Sequence, residues 1–165
     1  LAELKNGQKF SPQYAENRLR FRPYIKDVLI VGGGRDYVGA LINIDYGNVG
    51  KWAEVRHLPY TTFVDLSQKP EVLQLIKIEI GRMNSLIPEW ARIKKFINLH
   101  KEFDPDEAEL TRTRKLRRTF VEERYKEILT ALYADVKQFE VEAPIVYRDG
   151  RKGIIKTNLS ITAID

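Results

Sequence analysis

The sequence predicts an α+β fold in which small antiparallel β-sheets pack with helices, and three patterns along its 165 residues carry that reading. Two apolar runs, residues 28–31 and 38–44, flank the turn-forming stretch Gly32-Gly33-Gly34-Arg35-Asp36. Val72, Leu75, Ile76, Ile80, Met83 and Ile87 recur at helical spacing. Residues 141–147 and 154–164 alternate around Asp149-Gly150, as the two arms of a hairpin do.

The elements follow in order. Ser11 can cap a helix whose first turn holds Pro12, where a missing N–H costs nothing, so a helix is expected from Pro12 to about Arg20. The two apolar runs form antiparallel strands. Residues 46–57 carry Val49, Trp52, Ala53 and Val55 on a further helix, and residues 61–66 are a connection. The strongest helix follows Ser67. Residues 93–99 read as a strand, and Asp104-Pro105-Asp106-Glu107 as a solvated loop. A helix from about Arg117 to Tyr133 buries Val121, Tyr125, Ile128, Leu129 and Leu132. The tail hairpin places Ile155, Thr157, Leu159, Ile161 and Ala163 on one face.

Composition limits the function. With 43% hydrophobic residues the chain can bury a core, and no apolar run approaches the roughly 18 residues of a membrane span. The absence of cysteine excludes disulfides and thiolate metal sites and points to a reducing, cytoplasmic setting. Leu1-Ala2-Glu3-Leu4-Lys5-Asn6-Gly7 lacks an initiator methionine and any signal-peptide character, so it reads as a cut end. A net charge of +5 permits phosphate-bearing partners without demanding them.

The candidate chemistry lies in Leu110-Thr111-Arg112-Thr113-Arg114-Lys115-Leu116-Arg117-Arg118, which puts five cations within seven residues just ahead of a helix. Each cation at a helix N-terminus costs about 0.3 to 1 kcal/mol against the macrodipole, so an anionic partner is one reading and a solvated basic turn the other. His57 and His100 are isolated and read as structural or surface residues, and residues 32–34 as a turn rather than a phosphate loop. Asp104, Asp106, Glu107 and Glu109 lack the spacing and central glycine of a calcium loop and read as a hydrated loop.

This basic segment resembles the C-terminal motif of long-chain acyl-CoA synthetases: Leu-Thr-Pro-Thr, an apolar residue, Lys, an apolar residue and two basic residues. Lys115 falls on that family's catalytic lysine. The resemblance extends upstream through residues 5–12 with Glu16-Asn17, Pro23-Tyr24-Ile25, Val31-Gly32, residues 34–37, Ala40-Leu41-Ile42, residues 93–96 and residues 122–126. It covers about residues 1–133, leaving a hairpin tail over 134–165 of what reads as a single domain. Two positions depart from the motif: Arg112 stands where proline is usual, and Arg114 where an apolar residue is usual.

The resemblance implies the C-terminal lid domain of an AMP-forming ligase of the adenylate-forming superfamily, working with ATP, Mg2+ and CoA. Its partners would be the N-terminal adenylation domain of the same chain, a long-chain fatty acid and CoA. Lys115 would serve adenylation, with Thr111 and Thr113 shaping the motif loop. Gly7, Lys9 and Lys5 would face CoA or nucleotide, and Mg2+ would be held outside this domain. The fragment alone would be inactive. The alternative is a basic α+β nucleic-acid-binding module using the same five cations. It is not favoured, because stacking aromatics are absent near the cluster and Phe120 reads as core. Dimerisation or peripheral membrane contact through the hairpin stays open.

Overall fold

The computed structural model of the chain describes residues 1–147 and 149–165. A small ribbon of β1 (Ala2–Glu3) and β2 (Lys9–Phe10) opens it, followed by α1 (Pro12–Arg20). The Ser11 hydroxyl oxygen accepts the Tyr14 N–H at 3.2 Å, as the cap signal predicts. β3 (Ile25–Val31) and β4 (Val38–Ile44) pair antiparallel, with Leu29 opposite Leu41 and Val28 opposite Ile42.

Three helices lead back to the sheet. In α2 (Tyr46–Val55) and α3 (Phe63–Ser67) the Asp45 and Thr62 side chains cap the N-termini. α4 (Pro70–Asn84) starts at a proline instead. α3 lies in the stretch read as a connection, and five residues are too few to display a helical period. Ser67 ends α3 rather than opening α4, which begins three residues later.

β5 (Ile93–Asn98) then joins β4 in parallel, Phe96 beside Ala40. This pairing makes the central sheet mixed, within the expected α+β class. The crossover through α2, α3 and α4 supplies the long connection that parallel neighbours require. The helix read over 117–133 is divided into α5 (Arg118–Arg124) and α6 (Lys126–Tyr133), with Tyr125 between them at φ −101° and ψ 20°. β6 (Gln138–Val146) and β7 (Lys152–Ser160) form the hairpin, and β8 (Thr162–Ala163) returns to pair antiparallel with β5. The sheet order is β3-β4-β5-β8.

The sheet is buried on both faces, which is why β3 and β4 read as continuous apolar runs instead of alternating ones. One face presents Val28, Ile30, Ala40, Ile42 and Phe96 to α1, α2 and α4. The other presents Leu29, Val31, Leu41 and Ile97 to α6 and the hairpin, whose Ala143, Ile145 and Leu159 share that core. Gly39 lets α6 approach, because a Cβ there would lie 2.7 Å from Leu132 Cδ2. Phe120, expected in the core, is instead exposed, with the Arg117 guanidinium over its ring.

Two measurements check this packing. Leu159 is fully buried, so Leu159→Ala should lower unfolding free energy by about 2 to 5 kcal/mol, whereas Ile154→Ala, 71% exposed, should stay within about 0.5 kcal/mol in urea denaturation. His100 is buried, and that burial, with Lys101 beside it, pushes its pKa down to about 4. The unfolded chain takes up this proton near the ordinary value while the folded one resists it. Stability is therefore full above pH 6.5 and should fall by up to about 3 kcal/mol as pH drops toward 4. Thermal melts of His100→Leu should show a shallower decline over that window.

Candidate functional site

The basic segment folds as a short hairpin closed by an isolated antiparallel bridge between Leu110 and Leu116. Across its mouth the Thr111 N–H donates to the Lys115 carbonyl at 2.8 Å, and the Arg114 N–H donates to the Thr111 carbonyl at 2.9 Å. Arg114 adopts the left-handed region at φ 62°. This is the arrangement of a three-residue hairpin loop whose last residue is left-handed. Inside it the Thr111 hydroxyl oxygen accepts the Lys115 N–H at 3.0 Å, and the Thr111 and Thr113 hydroxyls lie 3.2 Å apart. Arg112 falls within the turn, where proline is favoured but most residues fit. Its presence therefore leaves the turn intact.

The base of the loop is fixed by Glu109, which the sequence placed in a hydrated loop and which is fully buried. Its carboxylate accepts the Asp104 N–H at 2.8 Å and the Tyr125 hydroxyl at 2.6 Å, and Arg124 Nε lies 3.3 Å away. Burial and this carboxylate push the Tyr125 phenol far above its ordinary pKa, so it remains a donor. Tyr125 thus ties the loop to the break between α5 and α6.

The five cations divide by what they touch. Arg118 Nη2 donates to both Glu16 oxygens at 2.6 Å, and its Nη1 donates to the Ile30 carbonyl at 2.7 Å. Glu16 also accepts the Ile30 N–H at 2.9 Å. Arg114 Nη2 donates to Asp27 Oδ2 at 2.9 Å. Burial raises the Asp27 pKa, and Arg114 opposes that rise. Arg117 donates to the Ala108 carbonyl at 3.1 Å. Among the described residues, Lys115 and Arg112 have neither an ion pair nor a side-chain hydrogen bond, and both are exposed. Three cations therefore have the structural return that the sequence does not display, and Lys115 stands uncommitted at the loop.

Glu16 and Asp27 are the residues that sequence reasoning missed. Glu16 sits in α1 and Asp27 in β3, 102 and 87 residues from the arginines they hold, so no local spacing could pair them. Asp27, set against the apolar run of β3, was an available signal, whereas Glu16 lies in a polar helix that gave none.

The other candidates lie apart from this loop. Gly7, at φ 88°, forms the turn between β1 and β2, where a β-carbon would strain the backbone though space around it is open. Lys9 is exposed, 4.0 Å from Glu3, and Lys5 is exposed with its backbone N–H on the Arg35 carbonyl. Thr111, Thr113 and Lys115 come together in one loop; Gly7, Lys5 and Lys9 form a second cluster. A surface depression of about 560 Å³ beside Gly32 and Gly33 carries Arg35 and Lys126 against Glu122 and Glu123, with no single sign of charge, and Lys115 does not line it. Among the described residues no group of three or more histidine, cysteine or acidic side chains could hold a metal ion.

Known proteins are similar to this chain in sequence and in fold. Over 128 residues the chain is 30% identical to the long-chain-fatty-acid–CoA ligase FadD15 of Mycobacterium tuberculosis, covering 77% of the chain and 21% of that ligase. The chain thus spans about a fifth of the length of this relative. In fold it resembles the adenylation domain of a carboxylate reductase from Mycobacterium chelonae, with TM-score 0.62 at 21% identity, covering 81% of this chain and 19% of that one. It also resembles the A-PCP didomain of a carboxylic acid reductase from Segniliparus rugosus solved with AMP, with TM-score 0.59 at 17% identity, covering 79% of this chain and 17% of that one. A family model described as the AMP-binding enzyme C-terminal domain matches residues 2–137, and the chain belongs to that family.

Proposed function

We propose that the chain is the mobile C-terminal domain of an AMP-forming long-chain fatty acid–CoA ligase, and that Lys115 is its adenylation lysine. The observation that carries this is the division of the basic cluster: Arg114, Arg117 and Arg118 are spent on holding the loop, while the exposed Lys115 ammonium has no partner among the described residues. Ordering a loop so as to leave Lys115 free, beside the equally unpaired Arg112, suits a loop whose anion comes from outside.

Adenylation supplies such an anion. A fatty-acid carboxylate oxygen attacks the α-phosphorus of ATP, and the bond to pyrophosphate breaks. Both reactants are anionic, so their approach needs positive charge, and charge then shifts among carboxylate, bridging and phosphoryl oxygens. A compact ammonium on a flexible stem can follow that shift without a proton transfer. The residues present fit this part of the nucleotide site alone. Mg2+ would be held by the N-terminal adenylation domain. That domain and the fatty acid would complete the site, and the chain alone would be inactive. Gly7, Lys9 and Lys5 form a separate exposed turn suited to the CoA-facing step, where Gly7 has open space around it.

The nucleic-acid reading is weakened by the same division, since cations bound to Glu16, Asp27 and the Ala108 carbonyl have less reach toward a phosphate backbone.

In the full-length parent, Lys115→Ala should lower fatty-acid-dependent ATP–pyrophosphate exchange by roughly 100- to 1,000-fold, while thioester formation from preformed acyl-adenylate largely survives. Unchanged exchange removes Lys115 from the chemistry.

A further inference from the structure

Arg114 stands where the acyl-CoA synthetase motif carries an apolar residue, directly before Lys115, and its φ of 62° lies in the left-handed region. A β-carbon makes that conformation unfavourable, so a non-glycine residue stays in it only where its surroundings hold it. Here the hold on the side chain is one carboxylate. Arg114 Nη2 reaches Asp27 Oδ2 at 2.9 Å, and among the described residues this is the only hydrogen bond to the Asp27 side chain. Asp27 is 4% exposed and belongs to β3, where the ladder to β4 shifts register between Ile25 and Asp27. The carboxylate is therefore fixed by the sheet, and the guanidinium is the adaptable partner.

We infer that Asp27 is a positioning residue for Lys115: by pairing with Arg114 it holds the left-handed turn that sets the direction in which Lys115 leaves the loop. The inference rests on the adenylation role proposed above. It accounts for the motif departure at residue 114, because the added cation has gained a buried anion to meet. The Thr111 hydroxyl holds the Lys115 amide from the other side of the loop. Arg118 anchors the far end on Glu16 and the Ile30 carbonyl, so removing the Asp27 charge frees the tip of the loop without releasing its base.

A second background separates positioning from a general structural role. Glycine occupies the left-handed region without help, so in Arg114→Gly the loop no longer depends on Asp27. In the full-length parent, Asp27→Asn should lower the kcat of ATP–pyrophosphate exchange about tenfold, leave both KM values within about twofold and spare thioester formation from preformed acyl-adenylate. In the Arg114→Gly background the same substitution should change exchange by less than about twofold. Equal losses in both backgrounds, or equal losses in both half-reactions, would overturn the inference. So would full exchange in Asp27→Asn alongside a collapse in Lys115→Ala; an unaffected Lys115→Ala sinks the adenylation reading first and the positioning role with it. Hydrogen exchange on the 165-residue chain reads the loop without any activity. The Lys115 amide should exchange faster in Asp27→Asn than in the native chain, and a rate that does not change contradicts the hold itself.

Discussion

A carboxylate taken out of water must have its charge met, and at Glu16, one of four buried acids among the described residues, that requirement ties distant elements together. Its oxygens, 6% exposed by residue, accept the Ile30 N–H and the Arg118 guanidinium, while the same arginine reaches the Ile30 carbonyl. One ion pair thereby joins α1, β3 and the start of α5, three elements far apart in sequence. Breaking it strands a buried charge, which is costlier than the pair is stabilising. Arg118, at the end of the basic segment and the first residue of α5, thereby ties that segment to α1 and β3.

The same strand works in both directions. β3 presents Val28 and Ile30 to the α1/α4 core and Leu29 and Val31 to the core shared with α6 and the hairpin. A strand packed on both faces has little freedom to shift, since a one-residue slip would move each side chain to the opposite core. From that rigid base project Asp27, which takes Arg114, and the Ile30 carbonyl, which takes Arg118. The buried Glu109 closes the system from below, through Tyr125 and Arg124. The loop is thus mounted on the core by side chains, while the group at its outer surface stays free.

Much of the fold was legible because its signals are local. α1 begins at the Ser11-Pro12 cap and ends where expected, β3 and β4 flank the glycine turn, and the tail forms a hairpin, although its second arm ends at Ser160 and Ala163 leaves the expected face to pair with β5. What escaped was non-local or short. The parallel partnership of β4 and β5 depends on where three helices return the chain, and α3 has five residues. Glu109 in an acidic stretch looked solvated because composition does not reveal that Tyr125 and the Asp104 amide turn toward it. Phe120 looked like core because an aromatic residue in an apolar helix pattern carries no sign that it faces solvent with Arg117 over its ring. For the candidate site, the motif spacing pointed to Lys115 and its loop, whereas the acids that hold the loop lie in other elements.

These features leave the Lys115 ammonium exposed and, among the described residues, unpaired at the loop, where on the proposed reading it meets the reacting anions of adenylation. The direct measurement is competitive amine labelling of the full-length parent, with and without a non-hydrolysable acyl-adenylate analogue, comparing Lys115 with the exposed Lys51. With the analogue bound, labelling of Lys115 should fall severalfold while Lys51 labels unchanged; equal labelling of Lys115 in both conditions would contradict the adenylation role.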